Sequence, residues 1–327
     1  MNTLWWHLMN DNYVPCLLCK SDSHTEVESH FGDPYRASNS ITRTVICNQC
    51  GLIYSNPQPG LEQLEQLYSG SYGGQRTNVP DRFYISRKDY DASLRIDFIK
   101  RVLPSLKPGR ALEIGAGAGN QLYALKSLGW DVEGVEPTPG YASFAREKFE
   151  VEVIEGYFDK NIYEPESFDL IIMAEVLEHF PDPVDLLNSL HGILKPEGYI
   201  YIDVPNVLRP NRFRLKEYLH GDHLTFFSPK TFKLAIEFSG YSIVEHKWHY
   251  YQYALLEKSK SKKQIDFVIE GDNPLEVLKV LKRPRFYLVA TFIKRSARNL
   301  IIRLLGPSLG AKSLRKGAHL RNFFRGW

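Results

Sequence analysis

The middle of the chain alternates between short, continuously apolar runs and longer segments whose apolar residues recur every three or four positions. The apolar runs lie near residues 110–114, 131–135, 151–154, 168–173 and 199–204. Such runs are typical of strands buried on both faces of a sheet, while the longer period indicates helices. The alternation therefore predicts an α/β fold with a doubly wound sheet.

The predicted helices and the last strands complete this pattern. A four-residue repeat predicts a helix before the first strand, at Tyr90, Leu94, Phe98 and Val102. Asp182-Pro183 and Ser228-Pro229 each place a capping side chain before a proline, which predicts two helix starts. Lys195-Pro-Glu-Gly198 predicts a turn. Aromatic-rich strands near 241–248 and 250–257, with only His249 between them, predict a closing hairpin.

The first strand leads into a glycine-rich turn, with the sequence R-A-L-E-I-G-A-G-A-G-N at residues 110–120. Glycines at 115, 117 and 119 permit unusual backbone angles and let a ligand lie directly against the backbone. The alternative is a tight turn without a ligand. The spacing is not the G-x-G-x-x-G of dinucleotide-binding enzymes, because position 118 is Ala and position 120 is Asn.

Two acids distinguish this turn from a phosphate site. Glu113 stands two residues before Gly115, and Glu136 stands 21 residues after it. A diphosphate disfavours an adjacent acid, whereas a positively charged sulfonium tolerates one. An acid at the place of Glu136 accepts hydrogen bonds from ribose hydroxyls in nucleotide-binding βαβ units. The pattern favours S-adenosylmethionine as the ligand.

The N-terminal segment holds all four cysteines of the chain, in two Cys-x-x-Cys pairs: Cys16, Cys19, Cys47 and Cys50. Two such pairs can close a tetrahedral zinc site, and with no open coordination position the metal is expected to be structural. The alternative is a set of reduced or redox-active cysteines. With four cysteines present, His24 and His30 are interpreted as packed or solvated side chains.

Composition and charge restrict the class of protein. The 327 residues are 43% hydrophobic and 24% charged, an ordinary globular composition. Four cysteines in one region do not indicate a disulfide-stapled secreted fold, and the N-terminus lacks the pattern of a secretory signal. The expected location is therefore the cytoplasm.

The C-terminal part of the chain is strongly basic. Residues 279–327 contain 13 of the 41 Lys and Arg and none of the 38 acids, so the first 278 residues carry a net charge of −10. Between residues 286 and 305, apolar and basic residues alternate in a pattern typical of an amphipathic helix. Two interpretations stay open: peripheral binding to an anionic membrane, at its inner face, or packing on the catalytic domain or a second subunit.

Taken together, these motifs resemble class I S-adenosylmethionine-dependent methyltransferases, and more narrowly the bacterial members with an N-terminal zinc ribbon that are associated with sugars and polysaccharides. The resemblance covers about residues 14–257. It rests on L-E-I-G-A-G-A-G-N (112–120), G-V-E-P (134–137), F-D-L-I-I-M-A-E-V-L-E-H (168–179), L-K-P-E-G-Y-I (194–200) and D-H-L-T-F-F-S-P (222–229). It implies a Rossmann-like, seven-stranded sheet with one antiparallel strand.

The resemblance also implies roles for individual residues. Those expected to hold S-adenosylmethionine are Glu113, Gly115, Gly117, Gly119, Glu136, Gly156, Tyr157, Phe158, Ala174 and Glu175. Tyr157 stands where many relatives have an acid. His179 and His223 are placed at the mouth of the pocket, and either is a candidate general base because histidine titrates near neutral pH. The alternative for each is an orienting hydrogen bond or a structural contact.

The resulting prediction is a methyltransferase with four parts. They are a zinc ribbon at 1–56, a linker and lid helices at 57–109, the S-adenosylmethionine-binding domain at 110–257 and a basic helical extension at 258–327. The expected reaction is O-methylation of a sugar, glycan or lipid-linked saccharide. Two alternatives are C-methylation of a nucleotide-linked keto sugar and an inactive zinc-ribbon protein whose basic tail binds nucleic acid. Few basic residues near the cysteines argue against nucleic acid.

Overall fold

A computed structural model describes residues 13–30, 42–59, 79–209, 219, 223–259 and 271–282. Residues 60–78, in the predicted linker and lid helices, and the predicted amphipathic helix at 286–305 lie outside these ranges. The chain divides into two compact units. The first comprises Met1–Gln75 and Asp159–Arg283, and the second comprises Arg76–Phe158 and Pro284–Trp327.

The main sheet has seven strands, as predicted, in the order β10-β11-β8-β7-β4-β5-β6. These strands are β4 (Arg110–Ile114), β5 (Asp131–Glu136), β6 (Glu152–Glu155), β7 (Phe168–Ala174), β8 (Leu194–Pro205), β10 (Tyr241–Trp248) and β11 (Tyr251–Lys258). Strand β11 pairs antiparallel with both β8 and β10, whereas β4 with β5, β5 with β6 and β7 with β8 pair in parallel. The prediction of a seven-stranded sheet with one antiparallel strand is confirmed.

In the second unit, three helices accompany β4, β5 and β6. They are α1 (Arg82–Val102), α2 (Asn120–Lys126) and α3 (Pro139–Phe149). Helix α1 begins at the Asp81 side chain, which accepts a hydrogen bond from Tyr84 N at 2.6 Å. The predicted helix is confirmed, but the repeat that indicated it is only partly buried: Phe98 is buried, whereas Leu94 is 45% exposed. Ala92, Ile96 and Ile99 supply most of the buried face instead.

In the first unit, β7 and β8 are followed by capped helices at the predicted places. Helix α4 (Pro183–Ser189) begins at Asp182, and α5 (Pro229–Phe238) begins at a capping box of Ser228 and Thr231. The predicted turn at 195–198 instead lies inside β8. Phe168 pairs with Leu194, and Leu170 pairs with Tyr199. Residues 195–198 therefore bulge out of the ladder.

A smaller four-stranded sheet in the first unit has the order β1-β2-β3-β9. Its strands are β1 (His24–His30), β2 (Thr42–Cys47), β3 (Ile53–Ser55) and the short β9 (Thr225–Phe226). Helix α6 (Pro274–Lys282) packs on it, because Val277 and Leu281 share one buried cluster with Ile46, Ile53 and Phe226. Residues far apart in the sequence thus complete the N-terminal module.

Candidate functional site

The glycine-rich turn has the backbone that its sequence predicts. After β4 ends at Ile114, Gly115, Gly117 and Gly119 have φ angles of 73°, 53° and 80°, and α2 then begins at Asn120. These angles lie in the left-handed region, which other residues rarely adopt. The backbone amides of Gly115 and Ala116 both donate to Val135 O, at 2.9 and 3.0 Å. The turn is thereby fixed against β5.

Glu136, at the end of β5, is joined to this turn. It is 6% exposed, and its carboxylate accepts hydrogen bonds from Gly117 N and Thr138 N, each at 2.8 Å. A carboxylate offers about four acceptor positions, so these two backbone bonds leave capacity for ribose hydroxyls. Burial raises the pKa of Glu136, while hydrogen bonds from Thr138 and Gly117 oppose the rise. The geometry fits the predicted ribose-binding role.

Helix α1 supplies further groups near the turn, which the sequence pattern did not identify. The hydroxyl of Tyr84 lies 3.1 Å from the position that a Cβ of Gly117 would occupy. Burial raises the pKa of Tyr84 to about 12, so its hydroxyl keeps its proton at neutral pH. Asn120 Nδ2 donates to Asp89 Oδ1 at 2.7 Å, which ties the start of α2 to α1.

A substitution tests how strictly the turn requires glycine. An added Cβ at Gly119 would lie 2.7 Å from Ala145 Cβ, at a φ of 80°. We expect Gly119→Ala to lower the free energy of unfolding by about 1–3 kcal/mol, through backbone strain and overpacking. Gly192→Ala is the control, since nothing lies within 4 Å of its added Cβ. Equal urea midpoints for the two variants would contradict the strained-turn interpretation.

The remaining predicted cofactor residues lie at strand ends. Glu113 is 4% exposed in β4. Gly156 follows β6, and its N–H donates to Glu136 O at 3.0 Å. Beside it, Tyr157 is 50% exposed and Phe158 is partly buried. These positions are compatible with an adenine-lining role, which stays a prediction.

Ala174 and Glu175 belong to the first unit, at the end of β7. Ala174 is the last residue of that strand, and Glu175 follows with a φ of 59°. The N–H of Glu175 donates to Asp203 O on β8 at 3.0 Å. A non-glycine residue in the left-handed region is uncommon and points to a constrained position. Their predicted cofactor contact is not tested by this arrangement.

The structure brings His179 and His223 together, with ring centroids 4.7 Å apart in an edge-to-face arrangement. A third group, which the sequence pattern did not single out, lies beside them. Glu178 is 1% exposed, and its Oε1 lies 4.0 Å from Nε2 of His223. Its position directly before His179 in A-E-V-L-E-H was the only sequence signal available. The result is a cluster of one buried carboxylate and two imidazoles.

Backbone hydrogen bonds hold this cluster. Glu178 and His179 lie in a 3₁₀ turn, Leu177–His179. The carbonyl of Glu178 accepts from Leu224 N at 2.8 Å, and the carbonyl of Leu224 accepts from Ser55 N at 2.8 Å. The residue after His223 is therefore tied both to the Glu178 turn and to the smaller sheet.

The four cysteines also converge. Their sulfur atoms all lie within 4.8 Å of one another, with Cys16 and Cys50 at 3.5 Å and Cys19 and Cys47 at 3.4 Å. None forms a disulfide. Zinc–sulfur bonds of about 2.3 Å in a tetrahedron separate the sulfurs by about 3.8 Å, so the donor set and spacing fit a zinc ion.

The close sulfur atoms also shift the pKa values of one another. Hydrogen bonds from Cys16 and Cys50 hold the pKa of Cys47 far below its usual range. The hydrogen bond between Cys16 and Cys47 raises the pKa of Cys16 to about 12, and burial of Cys16 adds to the rise. Four thiolates this close repel one another, and a central cation would offset that repulsion.

The second cysteine pair is covered by the segment before α6. Asp272 N donates to Cys50 O at 3.1 Å. A Cβ on Gly271 would lie 2.2 Å from the same carbonyl oxygen, so only glycine fits there. The cluster is enclosed, which favours a structural over a catalytic metal.

The chain is similar to known methyltransferases. Residues 86–246 match the family model described as "Methyltransferase domain". "Ubiquinone biosynthesis O-methyltransferase" of Actinobacillus pleuropneumoniae serotype 7 is 29% identical over 123 residues, covering 35% of this chain and 53% of that protein. The enzyme of the same name from Xylella fastidiosa strain M23 is 32% identical over 123 residues, covering 35% and 48%.

A solved structure of a SAM-dependent methyltransferase from Thermotoga maritima is 23% identical, with a TM-score of 0.42, and the match covers 54% of this chain and 93% of that one. The chain spans about half the length of the curated relatives it matches. The family model and these relatives confirm the prediction of an S-adenosylmethionine-dependent methyltransferase domain in this part of the chain.

Proposed function

We propose that the protein transfers a methyl group from S-adenosylmethionine to a hydroxyl of a sugar, glycan or lipid-linked saccharide. The observation that carries the transfer is the buried Glu136 carboxylate, held by the amide of Gly117 at the left-handed glycine turn. When bound, S-adenosylmethionine supplies a methyl group already activated by the sulfonium. The protein must then align the acceptor oxygen and remove its proton.

Proton removal is assigned to the cluster of Glu178, His179 and His223. A histidine takes the proton at neutral pH, and a buried carboxylate beside it favours the protonated imidazole. Either histidine fits this role, since both flank Glu178. The alternative of C-methylation needs a base for a carbon acid, which the same cluster could supply. The names of the relatives favour oxygen as the acceptor atom.

The base assignment predicts a specific kinetic effect. We expect His179→Ala to lower kcat by about 10²–10⁴-fold, because general-base catalysis contributes on that scale. Affinity for S-adenosylmethionine should change little, since the glycine turn remains intact. His246→Ala, an exposed histidine on β10, is the matched control. If turnover of His179→Ala equals that of the control, His179 has no part in the mechanism.

We also propose that zinc occupies the four-cysteine site and has a structural role. The sulfur spacing and the enclosure by Asp272 support this role. In this proposal the predicted zinc ribbon affects catalysis indirectly, through the segment that follows His223. It shares its sheet with Thr225 and Phe226, which directly follow the His223–Leu224 segment.

The tail is proposed to bind an anionic membrane surface and so place the protein peripherally at the inner face of the membrane. Its support is the charge pattern of residues 279–327. No helix among the residues described here is long and apolar enough to cross a membrane.

Sedimentation with vesicles containing phosphatidylglycerol tests the membrane proposal. We expect the full chain to sediment with these vesicles, and a chain ending at residue 282 to stay in the supernatant. Neutral phosphatidylcholine vesicles are the control, because the expected attraction is electrostatic and is screened by salt. Failure of the full chain to bind anionic vesicles at low salt would contradict it and favour packing on protein.

A direct assay tests the proposed reaction. Protein is incubated with methyl-labelled S-adenosylmethionine and panels of nucleotide sugars, lipid-linked saccharides and polyprenylated phenols. Label recovered as an alkali-stable ether on a saccharide supports the leading proposal, while label on carbon supports the keto-sugar alternative. An inactive nucleic-acid binder would instead retain RNA or DNA and transfer no label to any panel.

A further inference from the structure

We infer that Glu178, His179 and His223 form a second metal site, for a divalent ion held by nitrogen and oxygen ligands. Among the residues that the structure describes, this cluster and the four cysteines are the two groups able to surround one ion. The role of the ion in catalysis rests on the proposed function. Binding of the ion does not, and it is tested separately.

The spacing of the three side chains is compatible with one shared ion. Nε2 of His223 lies 4.0 Å from Oε1 of Glu178, beyond hydrogen-bond distance. One ligand atom from each residue lies within 4.8 Å of the others. Ligands about 2.1 Å from one ion are separated by about 3–4.2 Å, so small side-chain rotations complete the site.

Two chain segments hold the ligands in place before any ion binds. His179 N donates to Val176 O at 3.0 Å within the 3₁₀ turn. Leu224 N donates to Glu178 O at 2.8 Å and so fixes the segment of His223 beside that turn. A prearranged site loses less conformational freedom on binding than one made from loose side chains.

The donor set determines which ions fit. Two imidazoles and one carboxylate form the three-ligand arrangement that leaves coordination positions open on a transition ion. The side chain of Glu178 is 1% exposed and that of His223 is 14% exposed, so the ion would be largely shielded from solvent. The two imidazoles suit ions such as Fe²⁺, Ni²⁺ and Zn²⁺, and the carboxylate also accepts Mn²⁺, which serves as a spectroscopic probe of the site, whereas the four thiolates select zinc.

Such an ion would change how the acceptor loses its proton. An acceptor hydroxyl oxygen would occupy an open position, and the ion would lower its pKa. The acceptor O–H bond would break and its proton would pass to solvent through a water at a remaining open position, while the oxygen–carbon bond forms, the carbon–sulfur bond breaks and its electron pair stays on sulfur. With the ion bound, His179 and His223 serve as ligands, and the ion takes over the role that a histidine base has in the metal-free protein. Acceptors with two adjacent oxygens, such as a vicinal diol or a catechol, would bind best.

Titration with Mn²⁺, followed by electron paramagnetic resonance, tests the site on the full zinc-loaded chain. We expect wild-type protein to remove one equivalent of Mn²⁺ from the free six-line signal. Glu178→Gln and, as a second variant, His223→Asn should each weaken binding at least tenfold. Glu197→Gln removes an exposed acid in the β8 bulge and should bind as wild type. Thermal melts establish that each variant is folded.

The outcomes separate this inference from the proposed function. No Mn²⁺ binding by wild-type protein, or equal binding by folded Glu178→Gln, would overturn the metal site, even if methyl transfer is found. Absence of S-adenosylmethionine binding would overturn the proposed function but leave the Mn²⁺ titration valid. Turnover that does not respond to Mn²⁺ at saturating occupancy would overturn the assigned role of the ion.

Discussion

A Cys50→Ser variant is expected to lose its metal and most of the order of the smaller sheet. Structural zinc contributes about 10–16 kcal/mol to the folding of small zinc modules, and Cys50 is a fully buried member of the cluster. Strand β3 of this sheet pairs with Thr225 and Phe226, close to His223. Turnover should therefore fall by about 100-fold, because misplacement of a reacting group by about 1 Å has effects on that scale.

Affinity for S-adenosylmethionine should survive in the same variant, since the glycine turn and Glu136 belong to the other unit. Zinc content by mass spectrometry, circular dichroism and calorimetry measure the three effects. Gln49→Ser is the matched control, because it changes an exposed residue of the same Cys-x-x-Cys turn. A Cys50→Ser protein with full zinc content and wild-type turnover would show that the cysteines do not hold a structural metal.

A Glu136→Gln variant is expected to bind S-adenosylmethionine about 10–100-fold more weakly. Hydrogen bonds to a charged group contribute about 1.5–3 kcal/mol, and the amide replaces one acceptor oxygen with a donor. In this variant the affinity for S-adenosylmethionine should also lose its dependence on the titration of Glu136. Because burial raises the pKa of Glu136, wild-type affinity should fall as the pH is lowered and the carboxylate is protonated.

Glu133→Gln is the control for this substitution. Glu133 lies three residues before Glu136 on the same strand and pairs with Arg110 at 3.1 Å. Both variants therefore remove one carboxylate from β5. Equal affinity of the two for S-adenosylmethionine, measured by calorimetry at pH 7.5, would exclude Glu136 from the cofactor site.

Local chemistry explains which features could be predicted from the sequence. The left-handed angles at Gly115, Gly117 and Gly119 follow from a requirement that only glycine meets without strain. The place of Glu136 follows from the fixed length of a βαβ unit. The two cysteine pairs indicate a metal site because the two cysteines of each pair lie within one tight turn. Each of these signals lies within one turn or one βαβ unit of the sequence.

Features built by tertiary packing could not be predicted from local sequence patterns. Nothing near Thr225 and Phe226 indicates that they extend the sheet of the N-terminal module. Helix α6 lies in the predicted basic helical extension, but its packing on that module through Val277 and Leu281 was not predicted. Glu178 could not be identified as a site residue from the sequence, because its role depends on His223, which lies beside it only in the folded chain.

Isothermal titration calorimetry of the zinc-loaded full chain with S-adenosylmethionine tests the central claim most directly. The geometry of Glu136 and the glycine turn predicts saturable binding at one site, with S-adenosylhomocysteine competing and NAD⁺ failing to bind. Absence of S-adenosylmethionine binding by folded protein, or preferential binding of NAD⁺, would contradict the account.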